Sequence, residues 1–148
     1  MPLLLVLVKE ATDRIHAQLA ALGYGDVSAT HGFVFQLVAS QDGATGRQVA
    51  EHLGVTKQAA AQVLDHLERA GYLTRAASGA DRRARIARLT PRGWDCIDTT
   101  VRLWRELENE LARVTTERDV KTTLRTLSRL ESELGDNHRS GIRLQPIT

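Results

Sequence analysis

A single cysteine, Cys96, stands in the 148-residue chain. That excludes an internal disulfide and any multi-cysteine metal knuckle, and it fits a reducing compartment. Aromatic residues make up only 4% of the sequence, so the core must rest on Leu, Val and Ala. No hydrophobic run is long. The apolar stretch 2–8 is too short to span a bilayer, and it lacks the charged lead-in and small-residue cleavage site of a signal peptide. Enzyme signatures are missing as well. There is no Gly-x-Ser-x-Gly elbow, no phosphate-cradling loop and no metal-ligand spacing. Gly23-Tyr24-Gly25 lacks a third glycine and a preceding strand, and Ser78 has no base near it in sequence. His16 and His31 come without a second spaced histidine or a carboxylate cluster. The expectation is a protein with no catalytic residues, metal site, cofactor or membrane partner.

Charge is where the sequence becomes informative. The net charge is only +2, yet between Arg75 and Arg92 six arginines face a single acid, Asp81. That stretch carries a local +5 and leaves the remainder of the chain mildly acidic. A basic stripe on an acidic body is the footprint of a phosphate-binding edge.

Periodicity and capping residues divide the chain. Residues 3–22 predict a helix with Val8, Ala11, Ile15, Leu19 and Leu22 on one stripe. Ser28 is a plausible N-cap for a helix through residue 38, and Gln41-Asp42-Gly43 reads as a turn. Thr45 with Gln48 is a capping-box pattern opening a short helix to residue 53, after which Gly54 suits a left-handed position. Thr56 caps the next helix, 57–70, with Ala60, Val63, Leu64 and Leu67 inward and Gln58, Ala61, Gln62, Asp65 and Arg69 outward. Gly71 ends it. Residues 72–75 and 83–89 read as the strands of a hairpin with 76–82 as its loop. Thr90-Pro91 opens a long helix, and Thr116 starts a last one closed by Gly135.

The expected fold is therefore mostly α with a small β-hairpin wing: a winged helix-turn-helix flanked by N- and C-terminal dimerisation helices. The expected organisation is one domain, 1–148, with the winged core at 28–90, dimerisation helices at 1–25 and 91–135, and a loose tail at 136–148. The flanking stripes hold more aliphatic surface than one small winged unit can cover, and a symmetric dimer would bury it.

Such an order lets one helix and one hairpin enter adjacent grooves of duplex DNA. In the major groove, side chains must be polar enough to meet base edges and small enough to approach. Thr56, Lys57, Gln58, Ala61 and Gln62 meet that need. In the wing, an arginine at the tip can enter the narrow minor groove. Asp81 lies two residues before Arg83, so a carboxylate can pin that guanidinium. Arg75, Arg82 and Arg85 are further candidate phosphate contacts, as is Arg88.

The run Arg47-Gln-Val-Ala-Glu-His-Leu-Gly-Val-Thr-Lys-Gln, then Leu67-Glu-Arg-Ala-Gly-Tyr-Leu-Thr-Arg75, then Asp81-Arg-Arg with Leu89-Thr-Pro-Arg-Gly93, resembles the MarR (multiple-antibiotic-resistance regulator) family. The likeness covers about residues 28–112. It implies a homodimeric winged-helix repressor, cytoplasmic and nucleoid-associated, on a pseudo-palindromic operator. It puts the helix after Thr56 in the major groove and Arg83, oriented by Asp81, in the minor groove. The alanine-rich Ala59-Ala60-Ala61 departs from the family's usual larger or hydroxylated residues, which leaves base preference open.

The resemblance further implies a small-molecule or oxidant signal, entering between the dimer helices and the winged core. Residues that could line such a cleft are His16, Tyr24, His31, Phe35, Trp94 and Trp104, a set suited to a small aromatic or phenolic acid. Core filling is the alternative for each. Cys96, early in the helix after Pro91 and near Arg92, is the candidate redox group, with an inert buried thiol as its alternative. A winged-helix module that binds protein instead of DNA is the remaining functional alternative.

Overall fold

A computed structural model of the chain describes residues 2–77 and 85–135. The expectations for Asp81, Arg82, Arg83 and the tail lie outside the described residues. The chain runs α1 (Pro2–Leu19), a π-helical turn (Ala20–Tyr24), α2 (Ala29–Ser40), β1 (Ala44–Thr45), α3 (Gly46–Leu53) and α4 (Lys57–Arg69). Then follow β2 (Leu73–Ala77), β3 (Arg85–Leu89), α5 (Pro91–Val114) and α6 (Glu117–Gly135). The mostly helical winged fold is as the sequence predicts, and no helix of the described residues is long and apolar enough to cross a membrane.

Local chemistry sets the helix starts. Thr45 Oγ1 accepts from Gln48 N at 3.3 Å while Gln48 Oε1 accepts from Thr45 N at 2.8 Å, the reciprocal box that satisfies two otherwise orphaned groups. Thr56 Oγ1 accepts from Ala59 N at 3.2 Å, and Thr90 Oγ1 accepts from Gly93 N at 3.1 Å. Between α3 and α4, Gly54 sits at φ 65°, a left-handed turn that a β-carbon would strain.

Two features of the sheet differ from expectation. The first wing strand runs on through Ala76 and Ala77, residues assigned to the loop from sequence. A third strand is also present. Ala44 and Thr45 pair antiparallel with Ala87 and Ile86, giving the order β1-β3-β2. Gly43, at φ 127°, brings that strand in; a β-carbon there would lie 2.7 Å from Ile86 Cγ2.

The core has two parts. The larger joins α2, α3, α4, the sheet and the start of α5 through Val34, Phe35, Val49, Leu64, Leu67, Tyr72, Leu73 and Cys96, among others. The smaller joins α1 to the middle of α5 through Ile15, Leu19, Leu103 and Leu107. Tyr24 packs against both, and α5 contributes to both, so α5 is the beam that carries the winged unit on the N-terminal helix.

The first turn of α5 is pressed hard against the start of β2. A β-carbon on Gly93 would lie 2.4 Å from Tyr72 O and 2.7 Å from Leu89 Cδ2. Gly93→Ala should therefore cost about 1–3 kcal/mol despite the helix-favouring alanine. Gly32→Ala in α2, where nothing lies within 4 Å of the added carbon, should gain about 0.5–1 kcal/mol. Urea denaturation midpoints of both variants check the pair; a Gly93→Ala protein as stable as the parent would contradict this packing.

Candidate nucleic-acid interface

The outward face of α4 follows from its inward one. Ala60, Leu64 and Leu67 are buried, which fixes the helix's rotation and leaves Lys57, Gln58, Ala61, Gln62, Asp65 and Arg69 exposed. Thr56 is exposed at the cap. The first-turn amides and the positive end of the helix dipole lie at this same end, favouring an anion there. Thr56, Lys57, Gln58, Ala61 and Gln62 are thus brought onto one accessible surface, with α3 packed behind it.

The arginines divide unexpectedly. Arg75, expected to face phosphate, turns onto α4 instead. Its Nε donates to Glu68 Oε2 at 2.8 Å, a terminal nitrogen reaches both Glu68 and Asp65, and its side chain is 16% exposed. The hydrogen bond between them raises the Arg75 pKa and holds Glu68 below the usual carboxylate value. Arg92 turns inward too, donating to Gly23 O at 2.9 Å and to the Tyr72 hydroxyl at 3.2 Å. Arg88 meets Asp42 at 3.3 Å, both largely exposed, a pair worth about 0–1 kcal/mol. Arg85 is exposed and donates to Arg75 O at 3.3 Å. Of the four described arginines in the basic stripe, Arg85, Arg88 and Arg92 are exposed and Arg75 is half-buried, with Arg92 engaged by Gly23 O and the Tyr72 hydroxyl.

A constellation that sequence reasoning missed centres on Tyr72. Its ring is fully buried, and its hydroxyl donates to Asp26 Oδ1 at 2.5 Å. The Arg92 guanidinium lies 4.8 Å from the Tyr72 ring centre and 5.4 Å from that of Tyr24. Burial, then the bond to Asp26, pushes the Tyr72 phenol up to about 12; that same bond holds Asp26 below its ordinary value. His66 of α4 closes the group, its Nε2 3.2 Å from Asp26 O. The only sequence signal was the tyrosine itself, since a buried phenol requires a partner.

The six candidate effector residues part company. Tyr24 and Phe35 meet over Tyr72, with ring centres 6.3 and 5.6 Å from it, and Phe35 is core. His31 stacks on His66 at 4.9 Å and its Nδ1 accepts from Ser28 N at 3.1 Å, so the ring caps α2 in its neutral form. Burial, and then His66, lower the His31 pKa. His16 is half-buried on α1, while Trp94 and Trp104 are exposed on α5. Two surface clefts, one over Arg47, Glu51 and Lys57 and one along Glu117, Lys121 and Leu124, contain none of the six.

Cys96 is buried in the larger core, 1% exposed, and burial pushes its thiol up to about 11. The candidate redox role is corrected on that ground: apolar packing outweighs Arg92 and the helix start, and a thiol that is neither ionised nor accessible is a poor oxidant sensor.

Capped α4, hydrogen-bonded wing and long flanking helices together define a winged helix-turn-helix. The model of the MarR family matches residues 26–84, bearing out the resemblance over the winged core, and solved transcriptional regulators share the fold. Streptococcus pneumoniae FabT, solved in complex with DNA, superposes with a TM-score of 0.79 at 22% identity, covering 93% of this chain and 96% of that one. Staphylococcus aureus MepR, a transcription regulator of the multidrug efflux pump MepA, gives 0.70 at 21% identity, covering 89% and 96%. Bacillus subtilis YusO gives 0.71 at 18% identity, covering 87% and 89%. No curated protein matches this chain by sequence.

The burial of Cys96 predicts its reactivity. In native protein the thiol should react with a disulfide reagent at least about a hundredfold more slowly than a free cysteine, since it is buried and its thiolate fraction at neutral pH is about a hundredth of the free group's. In denaturant it should react at the ordinary rate. Rapid labelling of the native protein would contradict the packing.

Proposed function

We propose that this chain is a sequence-specific transcriptional regulator of double-stranded DNA, working in the cytoplasm as a homodimeric repressor that a small aromatic or phenolic molecule releases. The observation that carries the reading is the exposed strip Lys57, Gln58, Ala61 and Gln62 at the capped end of α4, beside a basic wing. Each residue type has a groove chemistry. Glutamine can bond adenine in two places, lysine can reach guanine or phosphate, and an alanine methyl can sit against that of thymine. From the sequence, Arg83 with Asp81 behind it supplies the minor-groove contact, with Arg82 and Arg85 toward the backbone.

Dimerisation is supported by apolar surface that one copy leaves in water. Leu3 and Leu5 are 70% and 73% exposed, with Val6, Leu7 and Val8 beside them; Leu111, Val114, Leu124 and Leu130 are exposed on α5 and α6. Burying a leucine or valine fully contributes about 1.5–3 kcal/mol, so a second copy covering these helices has a large driving force. Two reading helices would then address half-sites about one helical turn apart on a pseudo-palindromic operator. An effector lodged between the dimer helices and the winged core would change that spacing.

The test is titration of the full chain against duplex from upstream of its own gene. Affinity should fall about a thousandfold or more between roughly 50 and 200 mM salt, through counterion release. Gln62→Ala should weaken operator binding by about 1–3 kcal/mol while leaving a scrambled duplex unaffected, and Arg83→Ala should weaken it strongly. A folded dimer that shifts no duplex at low salt would overturn the reading in favour of a protein-binding winged helix.

A further inference from the structure

The recognition strip of α4 contains an electrostatic conflict. Gln58, Gln62, Asp65 and Arg69 follow one another at helical spacing along the exposed face, and Glu68 flanks them at 32% side-chain exposure. Asp65 is 53% exposed. Two carboxylates within about two turns of the base-reading residues would repel the phosphates that the helix must pass between. Both converge on Arg75 of β2. Its Nε bonds Glu68 at 2.8 Å, and one terminal nitrogen bonds Glu68 and Asp65 together. Nε and one terminal nitrogen of the guanidinium are thus engaged by acids of α4.

We infer that Arg75 is a positioning residue for DNA recognition: it neutralises Asp65 and Glu68 and fixes α4 against the wing, and it does not itself contact DNA. The inference rests on the DNA-binding reading above. A lysine could neutralise one acid, but only the planar fork of arginine serves both carboxylates from a fixed strand position. Arg85 lies across the same strand pair, donating to Arg75 O at 3.3 Å, so the wing strand that carries an accessible arginine is registered against the one that holds the helix.

The test is a charge rescue on the full chain, by fluorescence anisotropy with upstream duplex over a salt series. Arg75→Ala should lower affinity by about tenfold or more, with the salt slope unchanged because no phosphate contact is lost. Adding Asp65→Asn and Glu68→Gln to it should recover most of the affinity. Arg75→Met, which keeps the aliphatic stem, replaces the alanine variant if circular dichroism shows that one unfolded. An arginine variant whose slope falls by about 1, or whose loss the two neutralised acids fail to recover, would overturn the inference. A parent chain that binds no duplex would overturn the DNA-binding reading and this inference with it; binding by the parent with failed rescue would overturn this inference alone.

Discussion

The Tyr72 hydroxyl adds a directional tie between elements that the larger core also packs together. Tyr72 stands just past the end of α4, at the first turn into the wing. Its oxygen reaches Asp26 in the segment after α1, and Arg92 of α5 lies over its ring. Its carbonyl accepts from Thr90 N at 3.0 Å and is packed under Gly93. A hydrogen bond to a charged acceptor is stronger than a neutral one, and a buried phenol without its partner would bear the full desolvation cost. The end of α4, the root of the wing and the start of α5 thus meet at one residue.

That arrangement explains why so few of the arginines in the basic stripe remain available. Arg92 belongs to the Tyr72 group and Arg75 to the acids of α4. Both are structural cations in a segment whose sequence reads as one continuous phosphate-binding edge. The outward positive charge of the described wing rests on Arg85 and Arg88, with Lys57 and Arg69 on the helix beside it.

Local chemistry was legible in the sequence. The box at Thr45, the caps at Thr56 and Thr90 and the glycine at 54 act over three or four residues, so a reader of the chain sees donor and acceptor at once. The rotation of α4 was legible too, since Ala60, Leu64 and Leu67 repeat at helical spacing. What escaped notice depends on distant partners. Strand β1 has two residues, too few for alternation to register, and its ladder is supplied by Ala87 and Ile86 some forty residues on. Arg75 reads as outward because charge counts carry no direction; Asp65 and Glu68 decide where it points. Cys96 sits at a helix start beside an arginine, as a reactive thiol would, yet the packing of α5 against the sheet buries it.

The Tyr72 hydroxyl couples the end of α4, the wing and the start of α5. Amide hydrogen exchange on Tyr72→Phe, which keeps the ring and removes only the oxygen, tests it most directly. Faster exchange should appear together in the last turn of α4, in β3 and in the first turns of α5, with α6 unaffected. Exchange unchanged in those three elements, or altered only beside residue 72, would contradict it.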